Sequence, residues 1–119
     1  MSLGRAVVLT VSDSASIGRR EDLSGPEATQ ILERAGFQLG EVQIVADERE
    51  QIEDLLRMAC DQDQVQLVVT TGGTGLSPRD VTPEATRSVI EREVPGMAEL
   101  MRAEGLKKTP RAVLSRGIV

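Results

Sequence analysis

Leu67-Val68-Val69-Thr70-Thr71-Gly72-Gly73-Thr74-Gly75-Leu76-Ser77-Pro78-Arg79-Asp80-Val81-Thr82-Pro83 decides how this chain folds. The first four residues are a short, mostly apolar run rich in β-branched side chains, which reads as a buried strand. Three glycines in four positions then let the backbone turn sharply and come close to another group. Thr82 reads as a helix cap and Pro83 as the first helical residue, where its missing N–H costs nothing. Strand, glycine loop and helix in that order are the unit of a parallel α/β sheet.

The same alternation extends upstream. Ala6-Val7-Val8-Leu9-Thr10-Val11 reads as a strand buried on both faces. Residues 12–25 are dense in Ser, Asp, Gly and Arg and read as a long loop. Ser24 or Gly25 caps a helix opened by Pro26, with Ala28, Ile31, Leu32 and Ala35 on its apolar face and Gly36 as its stop. Residues 37–46 read as a second strand, with Val42, Ile44 and Ala46 on one face. Asp47 and Glu50 form a capping box for a helix that buries Ile52, Leu55, Leu56, Ala59 and Cys60.

Downstream of Pro83, Ala85, Val89 and Ile90 mark one helix, which Pro95-Gly96 breaks. Met97, Leu100, Met101 and Leu106 mark another, with Met97 and Met101 expected in the core. Lys107, Lys108, Arg111 and Arg116 are the only basic concentration and read as a solvated surface, with a capture site for a polyanionic ligand as the alternative. The expected architecture is a three-layer α/β/α fold around a mostly parallel sheet, in one domain spanning residues 1–119.

Composition narrows the chemistry. The 119 residues contain no His, no Trp, no Tyr and one Phe, with 14 Lys plus Arg against 19 Asp plus Glu. Without His there is no Ser-His-Asp triad, no Cys-His dyad and no His-ligated zinc. One ring, Phe37, is no stacking platform for single-stranded nucleic acid, and a net charge of −5 argues against coating phosphate backbones. No stretch reaches the ~18 apolar residues of a membrane span. The lone Cys60 reads as a small buried hydrophobe in a reducing compartment, so a cytoplasmic protein is expected.

In open parallel sheets, ligands sit at the carboxyl ends of the strands. Three strand ends meet that rule: Thr10-Val11-Ser12-Asp13-Ser14, Val45-Ala46-Asp47 and Thr70-Thr71-Gly72-Gly73-Thr74-Gly75. Successive glycine N–H groups form a nest for an anion, and Thr71 and Thr74 add hydroxyls. The loop is no Walker A motif, because no Lys precedes Lys107. A plain tight turn is the alternative. Asp47 and Asp80 flank the loop. Either each serves a helix terminus, or together they hold Mg²⁺ against a polyphosphate. Asp13 either closes its turn or walls the same pocket.

Residues 71–85, with Val11-Ser12-Asp13, Ile44-Val45-Ala46-Asp47-Glu48, Pro95-Gly96 and Leu114-Ser115-Arg116 in order, resemble the signature of the molybdopterin-binding family, the MogA/MoaB group, which is similar to the G domain of gephyrin. The resemblance implies an α/β/α homotrimer that binds molybdopterin. In its adenylyltransferase branch it implies transfer of an adenylyl group from ATP to the molybdopterin phosphate with Mg²⁺. It assigns Asp47 and Asp80 to catalysis and metal. Gly72, Gly73, Thr74 and Gly75 fall to the phosphate loop, and Asp13, Ser14 and Ser115 to ligand binding.

Family members continue for several dozen residues beyond the Leu-Ser-Arg motif, through a strand, a glycine-proline loop and a helix. These 119 residues are therefore expected to be most of a domain whose last elements are absent. Two further readings stand beside the enzyme: a molybdopterin-binding module without transfer activity, and a generic nucleotide domain with no pterin dependence. Neither nucleic acid nor membrane is expected as a partner.

Overall fold

The computed structural model describes residues 2–62 and 64–119. Among them the strands are β1 (Arg5–Val11), β2 (Gln38–Leu39), β3 (Gln43–Val45) and β4 (Val65–Thr71), and every pairing is parallel. β1 is central. β4 runs along one edge of it, from Arg5 opposite Val65 to Thr10 opposite Thr71. The other edge is shared: β2 pairs at Arg5 and Ala6, and β3 pairs at Leu9 to Val11.

The helices are α1 (Asp13–Ser16), α2 (Ser24–Ala35), α3 (Arg49–Asp61), α4 (Thr82–Val89) and α5 (Pro95–Leu106), with a 3₁₀ turn at Pro110–Leu114. The chain leaves β1 through α2 towards one edge and returns through α3 to the other edge. Right-handed crossovers in opposite directions put α2 and α3 on opposite faces of the sheet, which makes the three layers. That reversal also makes the carboxyl ends of β1 and β4 a topological switch point, where such sheets open a crevice.

The core is aliphatic. Leu9, Val11, Val45, Ile52, Leu56 and Ala85 form one buried cluster, with Leu55, Val68, Val81 and Val89 packed against it. Gly36 stops α2 as expected, with φ at +112° and its N–H on the Leu32 and Glu33 carbonyls.

Several local expectations are corrected. The strand expected over residues 37–46 is two short pieces, because Gly40 and its neighbours leave the ladder. Val45 enters the core while Ile44 stays 43% exposed, so the buried face lies one residue off the expected one. The loop after β1 contains α1, capped by Ser12, whose hydroxyl accepts from the Ala15 N–H at 3.2 Å.

Cys60 is exposed, since the buried stripe of α3 runs Ile52, Leu56, Ala59 and leaves the next position a step of about 100° away. Ile31 on α2 is exposed too. On α5, Met97 and Met101 face solvent and only Ala98 is buried.

Ile52 is fully buried at the centre of the cluster. Ile52→Ala should cost about 2–5 kcal/mol of unfolding free energy, read as a lower urea midpoint at unchanged slope.

Candidate active site

The glycine loop is built by close approach. Gly72 has φ at +90°, and a β-carbon there would overlap the Val11 carbonyl oxygen. Gly73 has φ at +70°; its β-carbon would collide with the Thr82 hydroxyl and stand 3.2 Å from Asp47 Oδ1. Only glycine takes both the left-handed backbone and that proximity. Thr82 then holds the loop from the other side. Its N–H donates to the Gly73 carbonyl at 3.1 Å and its hydroxyl to the Gly72 carbonyl at 3.0 Å. Thr82 is the first residue of α4 and not its cap, because its side chain is spent on the loop.

This arrangement turns carbonyls towards the protein and leaves amides over. Among the described residues, the N–H groups of Gly73, Thr74 and Gly75 find no acceptor. Three adjacent free donors beside a helix N-terminus are the means by which a backbone holds a phosphate.

Asp13 and Asp47 are locked to each other. The Asp13 N–H donates to Asp47 Oδ2 at 2.9 Å, and the Asp47 N–H donates to Asp13 Oδ1 at 2.9 Å. The carboxylate of Asp47 thus ties β3 to the start of α1 and does not cap α3, whose N-cap position is Glu48 with no side-chain cap. Arg79 covers the pair. Its guanidinium donates twice to Asp13, at 2.9 and 3.0 Å, and once to Glu48 at 3.0 Å. That guanidinium, with the Asp47 N–H second, holds the Asp13 carboxyl below its ordinary range. Arg79 is correspondingly held more strongly protonated.

Asp47 moves the other way. Burial is the main cause, and the like charges of Asp13 and Asp80 add to it. Asp80 turns its Oδ2 to the Ser77 N–H at 3.0 Å, and a β-carbon on Gly75 would stand 2.9 Å from that oxygen. Asp47 and Asp80 therefore flank the free amides, each with one carboxylate oxygen unengaged among the described residues.

A cleft of about 590 Å³ opens at the switch point, lined by Thr10, Ser12, Arg20, Asp22, Ser24 and Thr71 among others. Thr71 donates to Thr10 at 3.4 Å, Thr10 to Asp22 at 2.9 Å, and Ser24 lies 2.9 Å from Thr71. Asp22 also accepts from the Gly25 N–H at 3.0 Å, so it serves the start of α2 in place of the expected Ser24 or Gly25. Of the residues singled out in the sequence, Thr71 lines this cleft. Ser14 instead sets its hydroxyl 3.3 Å from that of Ser12.

Ser115 and Thr74 lie elsewhere. With Gly72 they line a smaller cavity of about 200 Å³ that also takes Thr70, and their hydroxyls are 3.5 Å apart. Thr70 and Thr71 alternate along β4, which puts the two cavities on opposite sides of the strand end. Sequence reasoning puts Thr10 at this rim without a role, reads Ser24 only as a cap, and misses Asp22. The run Asp22-Leu23-Ser24-Gly25-Pro26, an acid three residues before a helical N–H, is the available signal. Among the described residues, no group of three or more Asp, Glu, Cys or His is arranged to hold a metal.

The fold is an α/β domain with a mostly parallel sheet, and its strand ends gather free amides, hydroxyls and carboxylates. Residues 7–119 match the model of a family described as a probable molybdopterin binding domain, and the chain belongs to that family. It is 50% identical over 111 residues to a molybdopterin adenylyltransferase of Helicobacter pylori strain J99, covering 92% of this chain and 63% of that protein. With the molybdopterin adenylyltransferase of Escherichia coli K12 it shares 40% over 121 residues, covering 99% of this chain and 62% of that protein. The chain thus spans under two thirds of the length of these curated relatives. Among solved structures, it superposes on the molybdopterin biosynthesis enzyme MoaB of Thermus thermophilus with a TM-score of 0.87. Their identity is 47%, over 98% of this chain and 73% of that one.

The Asp47–Asp80 proximity has a direct readout. In metal-free protein the carboxyl ¹³C resonance of Asp47 should titrate with a midpoint above the ordinary 3.8. Asp80→Asn removes one like charge, so ionising Asp47 becomes easier and the midpoint should fall. An unchanged midpoint places Asp80 too far away to matter.

Proposed function

We propose that this domain binds molybdopterin and transfers an adenylyl group from ATP to its terminal phosphate. The three free amides of Gly73, Thr74 and Gly75, flanked by Asp47 and Asp80, carry the reading. The names of the relatives support it.

The reaction is an in-line displacement at phosphorus. A phosphate oxygen of molybdopterin bonds to the α-phosphorus of ATP, the bond to the β-phosphate oxygen breaks, and pyrophosphate leaves with its electron pair. The nucleophile is already ionised at neutral pH, so the absence of His is no handicap. The demand is alignment and charge neutralisation. The amides of residues 73–75 hold a phosphoryl group that gains charge, without reorganising at the moment of reaction. Thr10, Ser12, Ser24 and Thr71 offer hydroxyls to the polar edges of the ligand in the cleft.

The acidic pair fits Mg²⁺. Two nearby carboxylates, each with a spare oxygen, match an ion that usually takes one or two protein carboxylates and completes its shell with substrate phosphates and water. Asp47 and Asp80 would hold it, and it would supply charge neutralisation on the phosphates. The proposal extends to a homotrimer working in the cytoplasm, where ATP is the co-substrate. The solvent-facing Met97, Leu100 and Met101 of α5 offer apolar surface to a second copy.

Incubation of the purified protein with molybdopterin, Mg²⁺ and α-labelled ATP tests this. Adenylylated pterin should form, and Asp80→Asn should lower its rate by about 10²-fold or more while molybdopterin binding stays within about threefold. Pterin binding without any transfer by the unaltered protein sinks the enzyme reading in favour of a binding module. Full turnover in Asp80→Asn removes that residue from the chemistry.

A further inference from the structure

Arg116 reads from the sequence as one of the solvated basic residues, yet it is the most connected side chain near the glycine loop. Its Nε donates to the Gly75 carbonyl at 2.9 Å and its Nη2 to the Asp80 carbonyl at 2.8 Å. Its own N–H donates to the Thr74 carbonyl at 2.8 Å. Gly75 and Asp80 are the two ends of a six-residue turn, so one guanidinium closes that turn at both ends. Glu84, in the first turn of α4, takes the remaining face through Nη1 at 2.6 Å and Nη2 at 3.4 Å. The planar fork is thereby oriented by an element anchored in the core through Ala85.

Within the turn, the Ser77 N–H meets Asp80 Oδ2 and the Asp80 N–H meets the Ser77 carbonyl. Those bonds shape the turn but do not tether it. Thr82 anchors the chain two residues later, and Arg79 reaches outward to Asp13 and Glu48. The placement of the Asp80 main chain against Gly75 falls to Arg116.

We propose that Arg116 is a positioning residue: by clasping the carbonyls of Gly75 and Asp80, with Glu84 as its brace, it sets where the Asp80 carboxylate stands relative to the amides of Gly73, Thr74 and Gly75. The role rests on the adenylyl-transfer reading, in which Asp80 acts directly. It is not a stability role. An ion pair about 40% exposed on each side contributes little to folding. A displacement of about 1 Å at a reacting centre, by contrast, costs up to about 10²-fold in rate. Lysine cannot replace the fork, because one ammonium does not reach two carbonyls and a bidentate carboxylate in a plane.

The test compares the unaltered protein with Arg116→Lys and Glu84→Gln. The transfer assay is run beside thermal unfolding and amide hydrogen exchange. Arg116→Lys should lose about 10- to 100-fold in kcat with KM for both substrates within about twofold and Tm within about 5 °C. Glu84→Gln, which keeps the shape of the brace, should lose less. Exchange at Ser77 and Asp80, whose N–H groups are bonded within the turn, should quicken in Arg116→Lys while that at Thr82 stays slow. Unaltered kcat in Arg116→Lys overturns the proposal. So does a loss that follows Tm, or one that falls on KM alone. If the unaltered protein transfers nothing, the adenylyl-transfer reading fails by itself. Exchange then decides the clasp: faster at Ser77 and Asp80 in Arg116→Lys upholds it, and unchanged exchange overturns it.

Discussion

Gly72 lies against the Val11 carbonyl so closely that no side chain fits between them, and the rest of the site depends on that contact. It docks the end of β4 on the end of β1, where the strand order reverses. From there the backbone has few options. Thr82 captures the Gly72 and Gly73 carbonyls, and the amides of Gly73, Thr74 and Gly75 are left without an acceptor among the described residues. The same contact brings Gly73 beside Asp47 and Gly75 beside Asp80, so donors and carboxylates arrive together. A methyl group at position 72 or 73 would undo all of this at once, because it would strain φ and push the loop off its seat.

For a proposed phosphate site, the electrostatics are unusual. The chain carries a net charge of −5, and the strand ends collect Asp13, Asp47, Asp80 and Glu48. The guanidinium groups nearest the glycine loop are already committed. Arg79 neutralises Asp13 and Glu48, and Arg116 is taken by Glu84 and two carbonyls. On the proposed reading, a phosphoryl group at the loop meets backbone dipoles, and Arg20 is the guanidinium that lines the adjacent cleft. The raised proton affinity of Asp47 reflects the same crowding of negative charge. Such a site is suited to a substrate that brings a divalent ion with it.

Much of the fold was legible because its signals are local. The apolar run 6–11, Gly36 as a helix stop and the glycine loop each have one good backbone solution, and each formed as read. The carboxylates were less legible. Asp47 and Glu50 spell a capping box, but the Asp13 N–H, 34 residues away, captured the Asp47 side chain first. Thr82 was likewise drawn from its cap by the Gly72 carbonyl. Arg116 could not be distinguished by composition from Lys107, Lys108 and Arg111, because its partners lie 32 to 41 residues upstream. Helical periodicity placed Met97, Met101, Cys60 and Ile31 in the core. Periodicity reports that a face is apolar and not that something covers it.

The central claim is that the amides of Gly73, Thr74 and Gly75 are the seat of the phosphoryl group. Amide shift mapping of ¹⁵N-labelled protein during a titration with Mg²⁺·ATP tests it most directly. Saturable shifts should be largest at Gly73, Thr74 and Gly75. Saturable binding that leaves those three resonances in place, with its shifts elsewhere on the molecule, would contradict it.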